Sequence, residues 1–476
     1  MLDTVIVNGR VVTPDGVGDR DVGVEGERIA TVAVPGTLPT GAARVIDAAG
    51  MVVVPGGIDP HTHLAHPIMS HPEEPAVTLG PEEDTRGMAC GGTTTHIDFC
   101  YVRPGGEIAA ALEARAARWK ASSHVDYAFH VTLCGALELR VFEQIPEAVR
   151  AGFPSFKAFT TNVLPPHPRR AGNRLDFGRI GLAMEKAGPA GGLMVVHGED
   201  EDLVQFNYER FQAEGRTDGA NLHLVHSKLS ELLAFRRTIA LARALDSAVY
   251  FVHTSAREGV EAVAEARAAG RPVYGETLHQ YCCFTAEHYT APRGFCAHTY
   301  PSLKFPEDQA ALWHGLVHGG LSTLATDEYP TSLALKLKGR RIDDVTGGNV
   351  GAEARLGIAW TEGVVKRGMS LSRFAEVTAT NAARIFGLYP RKGVIAPGSD
   401  ADLVLMDPSV RRTLTREDFH VTDYSPWEGW DVSGWPALTM LRGKVIAERG
   451  RLLGSPLDGR LVARKIDAAV LQRPVC

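Results

Sequence analysis

The sequence lacks the marks of several protein classes. No stretch reaches membrane-spanning length without a charge, so no transmembrane helix is expected. Its seven cysteines are odd in number and include no Cys-x-x-Cys pair, which fits neither a disulfide framework nor a structural zinc site. Cys282 and Cys283 are adjacent in a strand-like run and read as core thiols. No Lys/Arg run with interleaved aromatics occurs, and the formal net charge of -6 argues against a polyanion-binding surface. The start, Met1-Leu2-Asp3-Thr4-Val5-Ile6, has no basic segment leading into a long apolar one, so a cytoplasmic location is expected. Short repeats and low-complexity segments are also absent. These exclusions leave a small molecule as the expected partner.

What is present is a globular composition, 476 residues with 44% hydrophobic and 22% charged, enough for one large domain and a smaller one. Residues 4–7, 10–12, 21–24 and 28–32 read as short strands broken by Gly and Pro-Asp turns, and similar strands return at 401–406 and 438–447. A small β-sandwich domain built from both chain ends is therefore expected, from residues 1–54 and 391–460, with 461–476 as a tail. Between them, residues 55–390 alternate strand and helix. Strand-like runs at 52–63, 93–99, 125–131, 155–159, 193–197, 248–253, 272–276 and 321–327 alternate with amphipathic patterns such as 230–245 and 258–269. Eight such units predict an α/β fold, a (β/α)8 TIM barrel whose reactive groups gather at the C-terminal strand ends.

The chain is organised around Val52-Val53-Val54-Pro55-Gly56-Gly57-Ile58-Asp59-Pro60-His61-Thr62-His63. Strand side chains alternate with period two, so His61 and His63 share a face and can grip one metal ion. Further strand ends contribute Lys157, His197, His253 and Asp327. Four imidazoles and a carboxylate suit zinc, with cobalt, manganese or nickel as substitutes. Lys157 is the odd member, because an ammonium cannot ligate a cation. It is a surface charge, a salt-bridge partner, or a carbamate formed with carbon dioxide, and burial beside cations favours the neutral amine that carbamate formation needs.

These motifs, with Ser155-Phe156-Lys157, Val196-His197-Gly198-Glu199, Tyr274-Gly275-Glu276-Thr277, Gly387-Leu388-Tyr389-Pro390, Gly398-Ser399-Asp400-Ala401-Asp402 and Asp423-Tyr424-Ser425-Pro426-Trp427, cover nearly the whole chain. They resemble the amidohydrolase superfamily, and within it the dihydropyrimidinase and hydantoinase branch. That resemblance implies two divalent metal ions, most simply zinc: His61, His63 and Asp327 on one, His197 and His253 on the other, and a carboxylated Lys157 bridging them. It implies hydrolytic opening of a cyclic amide such as a hydantoin, dihydropyrimidine, ureide or imide, by hydroxide held at the metals, with Asp327 as base and then acid. It also implies a homotetramer, with the tail 461–476 as a plausible subunit contact.

The pattern departs from that branch at several places. Asn162 stands where a tyrosine usually donates to the oxyanion, and Tyr300 stands where a serine holds the substrate ring. Gly347-Gly348-Asn349-Val350-Gly351 replaces Asn-Gly-Ala-Pro-Gly, and Glu328 replaces a histidine. The Asn162 position and the Gly-Gly start are more similar to allantoinases, which keeps that activity as the alternative. A non-catalytic dihydropyrimidinase-like scaffold is the alternative of a different class. Asn162, Tyr300, Gly347 and Asn349 are the expected substrate-binding residues, with Tyr300 or Asn162 as substitute donor. The loop 65–79 is expected to wall the pocket. Glu199, Asp200, Glu201 and Asp202 read as a solvated run, and His66, His71, His96, His130 and His279 as core or loop histidines.

Overall fold

β-branched residues crowd two separate parts of the chain, and each part becomes its own sheet. The computed structural model describes residues 2–38 and 41–476. The chain begins with β1 (Thr4–Thr13), β2 (Gly16–Glu25), β3 (Arg28–Ala33), β4 (Arg44–Asp47) and β5 (Val52–Pro55). Eight strands follow with intervening helices: β6 (Gly57–Thr62), β7 (Thr93–Val102), β8 (Asp126–Leu133), β9 (Ser155–Phe159), β10 (Leu193–His197), β11 (Val249–Phe251), β12 (Val273–Leu278) and β13 (Thr323–Ala325). The chain returns to hairpins in β14 (Leu403–Thr413), β15 (Asp431–Leu441), β16 (Lys444–Glu448) and β17 (Arg451–Leu452).

The eight middle strands are parallel and ordered as in the sequence, which makes the expected (β/α)8 barrel. The remaining nine form one mixed sheet in the order β17-β16-β15-β14-β5-β1-β2-β3, with β4 beside β1. Ile6, Val22, Ile46, Leu403, Leu438 and Met440 share its core, so strands from both chain ends complete one small β domain.

The run 52–63 is not a single strand. It divides at Gly56: β5 pairs with β14 and β1, and β6 opens the barrel beside β7. A Cβ at Gly56 would lie 2.2 Å from Thr94 Oγ1, so the crossing between sheets has room only for glycine.

The barrel closes between β6 and β13, where strand pairing is thin. Thr62 and Glu328 form a parallel bridge, His63 N donates to Glu328 O at 2.7 Å, and Glu328 N donates to His61 O at 3.2 Å. Lower on the same seam, the fully buried Arg355 donates to Ile58 O, Leu324 O and Thr378 O at 3.2, 3.1 and 3.0 Å, while its Nε faces Asp59. One guanidinium thus ties together carbonyls of the first and last strands where their own pairing is thin.

Much of the tail packs on its own chain. Val462, Ile466 and Val470 are buried against Leu193, Tyr274 and Phe386 at the N-terminal end of the barrel, and Tyr274 Oη donates to Val470 O at 2.7 Å. These three side chains plug that end, while Leu461 stays exposed. Among the described residues no helix is long and apolar enough to cross a membrane.

Replacing Arg355 with Met should keep side-chain volume while stranding the buried carbonyls and Asp59. The expected cost is about 3–5 kcal/mol, read as an earlier urea unfolding transition. An unchanged transition would show that the seam does not need the guanidinium.

Candidate active site at the barrel rim

The C-terminal strand ends surround a cavity of about 520 Å³ whose lining includes His61, His63, Lys157, His197, His253 and Asp327. All six residues expected from the sequence therefore reach one space. They form two groups. His61 Nε2 and His63 Nε2 lie 3.1 and 3.2 Å from the same oxygen, Asp327 Oδ1. On the other side His197 Nδ1 and His253 Nε2 approach to 2.8 Å, and the His61 and His253 ring centres are 5.4 Å apart.

Lys157 belongs to neither group by contact. Its side chain is 1% exposed, and Nζ has no hydrogen-bond partner. The amine lies 5.2 Å from the centre of Phe99, which stacks on His63, and 5.0 Å from the centre of Phe159, which leans on His197. Burial, only partly offset by Glu276 and Asp327, brings its pKa down to about 7. An amine that is substantially neutral near pH 7 meets the requirement for carbamate formation.

A second layer of carboxylates sets the rings. Glu276 accepts from His61 Nδ1 at 2.7 Å, from His253 N at 2.9 Å and from Tyr250 Oη at 2.8 Å. Glu199 accepts from His197 Nε2 at 2.9 Å and from His226 Nδ1 at 2.9 Å. Because an ionised carboxylate only accepts, the contacts to His61 and His197 place a hydrogen on the rear nitrogen and turn the other nitrogen toward the cavity. Burial alone would depress His61, yet Glu276 and Asp327 hold its pKa up to about 9, so this point of the site favours a positive charge. His253 and Asp327 adopt φ of 39° and 53°, uncommon for side-chain-bearing residues and a further sign that the rim imposes their placement.

Several expectations are corrected here. Glu199 is not part of a solvated run: it is 1% exposed, and burial is outweighed by His226 and His197, which hold its carboxyl well below the usual range. Asp200 caps the helix Glu201–Ala213, and Glu201 binds Thr161 and Asn162. Asn162 is outside the cavity wall. Its amide donates to Glu201 and accepts from Asn173 N and Arg174 N, which fastens the loop after β9. Tyr300 lines the cavity, but its hydroxyl hydrogen goes to Val345 O at 3.0 Å. In this arrangement the Tyr300 hydrogen goes to a carbonyl, and Asn162 lies outside the cavity lining. Gly347 also lines the cavity, where its missing Cβ makes room for the Tyr300 ring, whereas Asn349 is buried behind the wall. His96, His130 and His279 are buried and held by Thr62, Ser155 and Gly351. His66 and residues 65, 67, 69 and 70 of the expected wall loop line the cavity.

A closed parallel barrel with imidazoles, a carboxylate and a neutralised lysine converging at its C-terminal rim defines a hydrolytic metalloenzyme scaffold. Residues 183–446 match the amidohydrolase family. The chain is 34% identical to a D-hydantoinase of Ralstonia pickettii over 475 residues, covering 98% of this chain and 99% of that one. It is 33% identical to a D-hydantoinase of Geobacillus stearothermophilus, covering 97% of this chain and 96% of that one. Among solved structures, a dihydropyrimidinase from Brevibacillus agri superposes with a TM-score of 0.90 at 33% identity, over 97% of this chain and 98% of that one. An L-hydantoinase from Arthrobacter aurescens superposes at 0.87 and 27% identity, over 98% and 100%. The chain belongs to the amidohydrolase superfamily, in its hydantoinase branch, and is a cyclic amidohydrolase.

Glu276→Gln removes the charge behind His61 while leaving its shape. Metal affinity should fall about tenfold or more, measured as zinc retained across a series of buffered free-zinc concentrations. Unaltered retention would show that Glu276 does not tune the ligand.

Proposed function

We propose that the protein is a binuclear metal hydrolase that opens hydantoin or dihydropyrimidine rings. The observation that carries this reading is the arrangement of two histidine groups around one cavity, with the unpartnered Lys157 amine lodged between the aromatic rings that support them. The donor set fits divalent ions: Glu276 and Glu199 fix the rear ring hydrogens of His61 and His197. A cation would displace the remaining proton that the carboxylates hold on His61, and Lys157 Nζ has no hydrogen-bond partner among the described residues. His61, His63 and Asp327 would hold one ion, His197 and His253 the other, and a carboxylated Lys157 would join them. Zinc is the natural occupant. When bound, such ions make water acidic enough to attack near neutral pH and polarise the amide carbonyl.

The protein's own part is proton handling and positioning. Thr299 Oγ1 donates to Asp327 Oδ2 at 2.6 Å, and His61 and His63 hold Oδ1, so the carboxylate is fixed from both oxygens. Opposing its burial, His61 and His63 keep Asp327 ionised far below neutral pH, ready to accept the proton of the attacking water. Returning that proton to the departing ring nitrogen completes the hydrolysis. Phe99, Phe159 and Leu164 form apolar walls that limit water around the ring. A cytoplasmic homotetramer remains part of this proposal.

Purified protein should contain about two divalent ions per subunit, and chelation should remove both ions and activity. Hydantoin, dihydrouracil, allantoin and cyclic imides should then be compared. Asp327→Asn should remain folded and largely metallated yet lose about 100- to 10,000-fold in turnover. Near-full activity in that variant would remove Asp327 from proton transfer.

A further inference from the structure

The cavity does not end at the histidines. On β7, Phe99 packs beside His63, and Tyr101 follows two residues on, so period two returns Tyr101 to the same inward face about 7 Å nearer the mouth. Arg103 follows at the strand exit. Opposite them, Ala111, Ala114, Arg115 and Arg118 line the cavity from the helix Ile108–Trp119. Their spacing places them on one helical face. The two alanines leave space, and the arginines supply charge.

The charge in this arm is unevenly compensated. Arg115 is neutralised by buried Asp98 at 2.5 Å and also holds Leu64 O. Arg103 meets neutral groups, Asn173 Oδ1 at 3.0 Å, Gly172 O at 3.4 Å and the Tyr101 ring, whose centre is 5.5 Å from its guanidinium carbon. Arg118 has neither an ion pair nor a hydrogen bond among the described residues, and the Tyr101 hydroxyl likewise has no hydrogen-bond partner there. The carboxylates of the region are already committed: Asp98 to Arg115 and His66, and Asp327 to the histidines. The partly exposed Arg103, the exposed Arg118 and the Tyr101 phenol therefore all line this arm, and among the described residues no carboxylate pairs with any of them.

We infer that this arm is an anion subsite that binds a carboxylate carried on the ring substituent of the cyclic amide. Arg103 and Arg118 supply charge-assisted donors of the planar geometry that suits a carboxylate, and Tyr101 Oη adds a neutral donor closer to the ring. Burial keeps that phenol protonated, despite the lowering influence of Arg103. The inference rests on ring opening at the histidine groups, since it concerns the part of the substrate that extends away from them.

The test uses two nearly isosteric substrates, 5-(2-carboxyethyl)hydantoin and 5-(2-carbamoylethyl)hydantoin, with the metal-loaded enzyme. The carboxylate should be preferred in kcat/KM by about 10- to 100-fold, and added salt should raise its KM. Arg118→Gln combined with Arg103→Gln should collapse that preference, and Arg118→Lys alone should retain much of it. Metal content measured in each variant verifies that the histidine groups are intact. Equal use of the two substrates, or a preference surviving the double variant, overturns the subsite. If both are refused while hydantoins with neutral alkyl substituents are opened, the subsite falls and the ring-opening reading stands. If fully metallated enzyme opens no cyclic amide, both fall together.

Discussion

The closing seam of the barrel is where the fold and the chemistry become one problem. β6 and β13 meet through few backbone bonds, and those nearest the rim flank the residues that present His61, His63 and Asp327. A parallel barrel must join its first and last strands, and the join brings residues 61–63 beside 327–328 from opposite ends of the middle segment. Thr326 Oγ1 donating to Asp59 Oδ2 at 2.6 Å and the buried guanidinium of Arg355 hold the same join from below. The shared oxygen Asp327 Oδ1 is thus positioned by closure of the sheet rather than by a flexible loop.

Most of the site's front layer was legible because each residue ends an apolar run. Such runs become buried parallel strands, and a polar residue at their end has nowhere to go but the rim. The same period-two rule that paired His61 with His63 also pairs His197 with Glu199, yet Glu199 was submerged in four successive acidic residues that resemble a charged surface. Only the first points inward, before Asp200 starts the next helix. Glu276 was visible only as part of a motif, since its partners His61, His253 and Tyr250 are distant along the chain.

Other features depend on three-dimensional detail that periodicity does not carry. Residues 52–63 divide into β5 and β6 at Pro55-Gly56-Gly57, a local break signal, but which sheet each half joins follows from pairing partners far along the chain. Asn162 and Tyr300 occupy loops whose positions suggested contact with substrate. Their polar atoms instead satisfy neighbouring loops, because groups packed this close to a cavity need partners whether or not a ligand is present. The tail's Val462, Ile466 and Val470 close the N-terminal end of the barrel, a use that periodicity alone does not reveal.

The small β domain has a consequence for how the chain is made. β5 lies between β1 and β14, so the sheet begun by the first fifty-odd residues cannot be completed until strands more than three hundred positions later have left the ribosome. During that interval the newly made amino-terminal strands carry an open edge, while the barrel between them can collapse by mainly sequential βα pairing. β1 to β5 can pair among themselves as soon as they are made, whereas the pairing of β5 with β14 is among the last long-range contacts open to the growing chain.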